Sequence, residues 1–201
     1  MNPITAFILT AIHLLTFFLY QLNYARLRRN KKYTGNETGH LKDVVERMPL
    51  AKLITKLTYT LGTILVTVSF WIPHEMTGFF QGTLGLRLFG LGLTFLAFLM
   101  LQQALFQLGR NYSPLFDTHR PHEIVKSGLY RYIRHPVYLC NMIILLGYVF
   151  SGLSVWVILT SCWGWIYMLI SISKEEKYLA MQFPEYQEYQ KKTWRLIPYV
   201  F

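Results

Sequence analysis

Residues 134–177 read RHPVYLCNMIILLGYVFSGLSVWVILTSCWGWIYMLISISKEEK, and this stretch decides the fold. Two apolar runs, 136–152 and 154–172, are joined only by Ser151-Gly152-Leu153-Ser154. Each run approaches the ~20 apolar residues that cross a bilayer as a helix. A link this short forces a tight antiparallel hairpin. The hairpin returns Lys174-Glu175-Glu176-Lys177 to the membrane face from which Arg134 and His135 enter.

The rest of the chain follows the same pattern. Of its 201 residues 53% are hydrophobic and only 15% charged, against about 25% charged in an ordinary soluble domain. Three more apolar runs occupy 3–22, 57–72 (extended by the lysine-bearing turn before it) and 84–108. The first lacks a charged leader, so it reads as a retained span and not a secretory signal. The expected fold is all-α: one membrane domain, 1–201, built as a bundle of five transmembrane helices.

Charge placement orients the bundle. Nine Lys and Arg lie between Arg26 and Lys56, five between Arg110 and Arg134, and five between Lys174 and Arg195. With five spans all three groups share one side, the cytoplasm by the positive-inside rule, leaving the N-terminus outside and the C-terminus inside. The remaining cation, Arg87, is expected to snorkel to the interface. The net charge of +10 is therefore accounted for by the bilayer as partner, and no nucleic-acid partner is expected. Cys140 and Cys162 fall inside spans and suggest neither disulfide nor zinc. His119 and His122, spaced i, i+3, lack further ligands, so no metal is expected.

The cytoplasmic pieces 109–135 and 174–201 are too short for a soluble catalytic domain, so any site must lie between them and the inner ends of the spans. Together with spans four and five they form the expected site-bearing half, 109–201: a cytoplasmic loop, the hairpin and a short C-terminal helix. Pro136 suits the first position of a helix. The free N–H groups of that turn, beside Arg131 and Arg134, make an anion site. Those arginines also serve as a topological collar. Glu175 and Glu176 meet the negative end of a helix dipole. They either pair with arginine or serve a cationic ligand bearing ribose hydroxyls. Gln102, Gln103 and Gln107 offer polar side chains at the inner end of span three.

Three segments together, LGRNYSPLF, HEIVKSGLYRYIRHPVY and EEKYLAMQFPEYQEYQKKTWRLIP, resemble the isoprenylcysteine carboxyl methyltransferase and phospholipid methyltransferase superfamily over roughly residues 108–198. That resemblance implies a multi-pass membrane enzyme using S-adenosylmethionine, in the inner membrane of a prokaryote or the endoplasmic reticulum of a eukaryote. It implies that His122, Glu123, Ile124 and Val125 line the cofactor, followed by Tyr130, His135, Pro136, Val137 and Tyr138. Glu175 and Glu176 would hold its polar groups, with Asp117 close by. Arg134 and Glu175 would stand at the chemistry.

The implied reaction is in-line displacement at a methyl carbon, to which the protein contributes orientation and exclusion of water. The acceptor, lipophilic or membrane-accessible, stays open. A carboxylate or thiolate needs no strong base, whereas an amine must first lose a proton. The prenylcysteine branch carries an arginine shortly before the paired glutamates, where this chain has Ser171. The Arg134-His135 pair nevertheless sides with that branch. Phospholipid N-methylation and small-thiol S-methylation are the alternatives. A non-enzymatic haem carrier or transporter is the other class, but His13 and His74 make no matched pair.

Overall fold

The computed structural model describes residues 2–30, 49–72, 83–111 and 123–199. Among these are six α-helices and no strand: α1 (Pro3–Asn30), α2 (Pro49–Ser69), α3 (Leu84–Leu108), α4 (Pro136–Gly152), α5 (Val155–Gln182) and α6 (Tyr186–Lys192). Single 3₁₀ turns occupy Gly109–Asn111 and Gly128–Arg131. His74, Asp117, His119, His122 and the connector at 31–48 lie outside the described residues.

The third and fourth apolar runs became helices with the expected bounds. The first and fifth run on, α1 to Asn30 and α5 to Gln182. Loss of hydropathy ends a membrane crossing, but neither 23–30 nor 173–182 contains the Gly or Pro that would end a helix. Three helices are long and apolar enough to cross a membrane: α1 over Pro3–Asn23, α3, and α5. The chain is thus a multi-pass membrane protein. The other two expected spans are helical but fall short of that standard. α4 has 17 residues, and α2 carries Lys52 and Lys56 in its first turns.

The hairpin is real and very tight. Leu153 adopts a left-handed conformation (φ 48°, ψ 41°), its N–H donating to Val149 O, and Ser154 already begins α5. α3 lies along α4 at a distance only glycine allows. A methyl group on Gly90 would come within 2.5 Å of Ser151 N and 2.6 Å of Gly147 O, so small residues set the backbone approach. Leu9, Val66, Leu101, Leu145, Val157 and Ile172 fill the interior, while Phe7, Ile64, Leu96 and Trp156 face outward.

Two polar knots tie the helices. Asn141 Oδ1 accepts from Tyr59 at 2.8 Å and Tyr20 at 3.3 Å, joining α1 and α2 to α4, and its Nδ2 donates to Val137 O at 2.7 Å. At the other end of the bundle Arg87 departs from expectation. It is buried, not snorkelled, and its Nη1 donates to Ser151 O at 2.8 Å and Ser69 Oγ at 3.2 Å. The end of α4 presents unpaired carbonyls, and a cation turned inward satisfies one of them.

Candidate functional site

The site begins at the N-terminal turn of α4. Pro136 takes the first position and Leu139 N–H closes the first bond, to His135 O at 3.1 Å. No side chain caps this turn. Helical geometry leaves the Val137 N–H group without an intrahelical acceptor. His135 sits just before the turn, buried, with its ring edge-on to Tyr138 at 5.6 Å.

The returning helix supplies a carboxylate, as the hairpin required. Glu176, its side chain 9% exposed, accepts from Arg134 Nε at 2.8 Å and lies 3.2 Å from His135 Nε2 through the same oxygen. Its other oxygen accepts from Arg195 Nε at 2.9 Å and stands 2.7 Å from Arg195 Nη2. Arg195 also reaches Ser173 Oγ at 3.3 Å. Arg134 continues through Nη1 to Gln190 O at 3.0 Å and to Thr193 O, the carbonyls at the end of α6. Two guanidinium groups at a helix end and one carboxylate thus lock three segments together.

The C-terminal segment reaches the site through an isolated parallel bridge between Ile133 and Trp194. Trp194 N–H donates to Tyr132 O at 2.9 Å, Arg134 N–H to Trp194 O at 2.8 Å, and His135 N–H to Arg195 O at 3.2 Å. Below it, Tyr189 Oη donates to Tyr130 O at 2.6 Å. Burial, reinforced for Tyr130 and Tyr186 by the neighbouring carboxylates, pushes the phenols of Tyr130, Tyr186 and Tyr189 well above the usual tyrosine range. These hydroxyls remain protonated donors.

Glu175 stands apart from its neighbour. It is half-buried and makes no ion pair among the described residues, and its charge is felt by Tyr130 and Tyr186. Tyr186 is 1% exposed, with a phenol oxygen that meets no hydrogen-bond partner among the described residues. The Glu175 carboxyl and the orphaned Tyr186 hydroxyl are thus close enough to influence one another.

Of the loop that the sequence pointed to, Glu123, Ile124 and Val125 are described. Glu123 N–H donates to Asn111 Oδ1 at 3.3 Å, holding the loop to the end of α3, and Ile124 and Val125 are half-buried. The loop ends at Gly128, whose φ of +59° turns the chain so that Leu129 N–H meets Gln107 Oε1 at 2.8 Å. Gln107 is thus a clamp on this turn. Arg134, His135, Pro136, Val137, Tyr138 and Glu176 gather as expected, with Tyr130 and Glu175 alongside. Sequence reasoning counted Arg195 only as one more cation and passed over Tyr186 and Tyr189.

Residues 90–181, from α3 to the last turn of α5, match the family model described as isoprenylcysteine carboxyl methyltransferase (ICMT). Over 102 residues the chain is 34% identical to the cobalt-zinc-cadmium resistance protein CzcN of Cupriavidus metallidurans. It is 30% identical over the same length to the nickel-cobalt-cadmium resistance protein NccN of Alcaligenes xylosoxydans xylosoxydans. Each alignment covers 49% of this chain and 47% of the relative, so the chain spans about half the length of the relatives it matches.

Proposed function

Because residues 90–181 match the isoprenylcysteine carboxyl methyltransferase family model, we propose that the chain is a membrane methyltransferase of that kind. It takes its methyl group from S-adenosylmethionine and passes it to a lipophilic or membrane-accessible acceptor at the cytoplasmic face. The observation that carries this reading is the meeting of the α4 start with the α5 end, Arg134 and His135 against Glu176 at 2.8 and 3.2 Å.

The donor set fits the cofactor. A carboxylate suits the N-terminal turn of α4, where the Val137 N–H lies beyond the reach of the intrahelical bonds. An ammonium or ribose hydroxyl suits Glu175 and the orphaned Tyr186 hydroxyl. Glu123, Ile124 and Val125 would line the remainder, with Tyr130 and Pro136 shaping the wall; His122, assigned to the cofactor by the sequence resemblance, lies outside the described residues. When bound, the cofactor supplies a methyl group on a sulfonium, ready for displacement. The chain's own residues bind, orient and exclude water.

The two carboxylates divide the work. Glu176 is neutralised by Arg134 and Arg195 and holds the C-terminal segment in place. Glu175 is the charge left for a ligand. Arg134 then acts as a positioning residue, its guanidinium already taken up by Glu176, Gln190 and Thr193. Ser171, where the prenylcysteine branch has an arginine, is buried and donates back to Tyr167 O at 2.9 Å. No cation for a substrate carboxylate stands at that position, which favours an amine or thiol acceptor.

Calorimetry of detergent-solubilised protein tests the reading. S-adenosylhomocysteine is expected to bind, and Glu175→Gln to abolish binding; absence of binding to well-folded wild type would refute it. A labelled-methyl assay on membrane lipids, small thiols and prenylcysteine analogues then identifies the acceptor. The names of the two relatives favour one further reading, a contribution to metal resistance. Growth of a deletion strain on cobalt, zinc or cadmium tests it separately.

A further inference from the structure

The bridge that brings Arg195 to Glu176 leaves other residues of the two segments on the outside. Along 132–134 and 194–197, Ile133 and Leu196 are buried and Arg134 and Arg195 point at Glu176. Tyr132, Trp194 and Ile197 are 62%, 41% and 48% exposed. Tyr199, 88% exposed, folds back so that its ring lies 5.2 Å from that of Trp194. Trp194 and Tyr199 thus form an exposed aromatic pair, with exposed Tyr132 held beside Trp194 by the backbone bond between them.

Two features say what covers it. First, its level is fixed: Tyr132 lies four residues before Pro136, where α4 enters its apolar run, and the bridge holds Trp194 at the same height. That is the depth at which Trp and Tyr concentrate in membrane proteins, one end apolar and the other wet. Second, its rim is basic. Arg131 lies over the Tyr132 ring at 5.9 Å, and Lys192 sits two residues before Trp194. The acid nearest in sequence, Glu188, is engaged by Lys191 at 2.7 Å. Neither Arg131 nor Lys192 has an ion-pair partner among the described residues.

We propose that this face seats the C-terminal strap on the bilayer surface: the aromatic rings lie at the headgroup level, and Arg131 and Lys192 hold anionic lipid headgroups. The inference rests on the strap's geometry and does not depend on the methyltransferase reading. A cation near an anionic surface contributes about fivefold in affinity, falling with salt.

The test uses the full chain in vesicles of phosphatidylcholine with or without phosphatidylglycerol. A spin label on Tyr199→Cys, in a background with Cys140 and Cys162 replaced by alanine, reports depth by collision with oxygen against a water-soluble nickel chelate. Oxygen is expected to win. Spin-labelled phosphatidylglycerol should associate more strongly than phosphatidylcholine, and Arg131→Gln and Lys192→Gln should each reduce that preference about fivefold at low salt. Should the cysteine background not fold, brominated lipid is added to wild type and Trp194→Phe. The emission that differs between them is expected to be quenched.

Three results would overturn the proposal. One is a label freely reached by the nickel chelate, or Trp194 emission indifferent to brominated lipid; either leaves the face to water or to a protein partner. Another is protection that depends on protein-to-lipid ratio, the mark of a second copy. The third is a lipid preference unchanged by loss of both cations.

Discussion

Glu175 and Glu176 are adjacent in sequence, yet their substitution should leave opposite signatures. Glu176→Gln removes the charge facing Arg134 at 2.8 Å, Arg195 at 2.7 Å and His135 at 3.2 Å, with Glu176 itself 9% exposed. Breaking a buried ion pair from one side costs about 3–5 kcal/mol. Arg195 retains 26% exposure and can recover some hydration, which favours the lower end, about 3 kcal/mol. For a chain of this size that corresponds to a fall of roughly 6–12 °C in thermal midpoint. Glu175→Gln has no ion pair to lose among the described residues, so its midpoint should move by no more than about 2 °C. Its effect should appear in S-adenosylhomocysteine affinity. Intrinsic-fluorescence melting in detergent and calorimetry read both quantities on the same samples. A stable Glu176→Gln beside a destabilised Glu175→Gln, or full affinity in Glu175→Gln, would refute the division of labour between them.

Alkaline pH should unfold the end of the bundle that carries the tyrosine cluster first. Tyr130, Tyr186 and Tyr189 have folded-state values raised above their ordinary 10.0, so the stability they lend is complete below pH 10 and is lost as pH rises beyond it. The melting midpoint should therefore not fall through tyrosine ionisation up to pH 10, then drop as phenolate absorbance appears; phenolate forming in still-folded protein below that pH would contradict this. Gly128→Ala places a methyl group against the Gln107 side chain at a φ of +59° and should cost about 1–2 kcal/mol, with Gln107→Ala recovering part of the loss in the double variant. Asn141→Leu removes the acceptor shared by Tyr20 and Tyr59 and should destabilise by roughly 1–2 kcal/mol, at about 0.6 kcal/mol per interhelical bond plus the stranded hydroxyls. Ser171→Arg should lower the melting midpoint without directing label into prenylcysteine, because Ser171 is buried at 2% exposure.

Much of this was legible in residue order. The run 84–108 shows both its ends by hydropathy and became a helix with those bounds, and Pro136 announces the start of α4. That Arg134 and His135 share a face with the paired glutamates followed from the shortness of the 151–154 link; that Glu176 and not Glu175 takes the arginine did not. Arg195 was not legible, because its place depends on a single bridge between residues 61 positions apart, Ile133 and Trp194, and no local periodicity encodes such a partner. Arg87 was misjudged for a related reason. Its position near a span end suggests the interface, but what it meets is the exposed carbonyl of another helix, Ser151. The tyrosine cluster lay in a segment whose composition says only that it is polar and helical.

The two-residue link Leu153-Ser154 does more than reverse the chain. Each residue of an α-helix advances the azimuth by about 100°, and α5 begins at once after the turn. Glu176 is thus aimed by counting from a corner at the opposite end of the bundle. Adding or removing one residue there would swing Glu176 away from Arg134 and bring a different side chain into the slot, with no contact near the site altered. The turn is an index mark, and the chemistry at one end of the membrane bundle is kept in phase from the other.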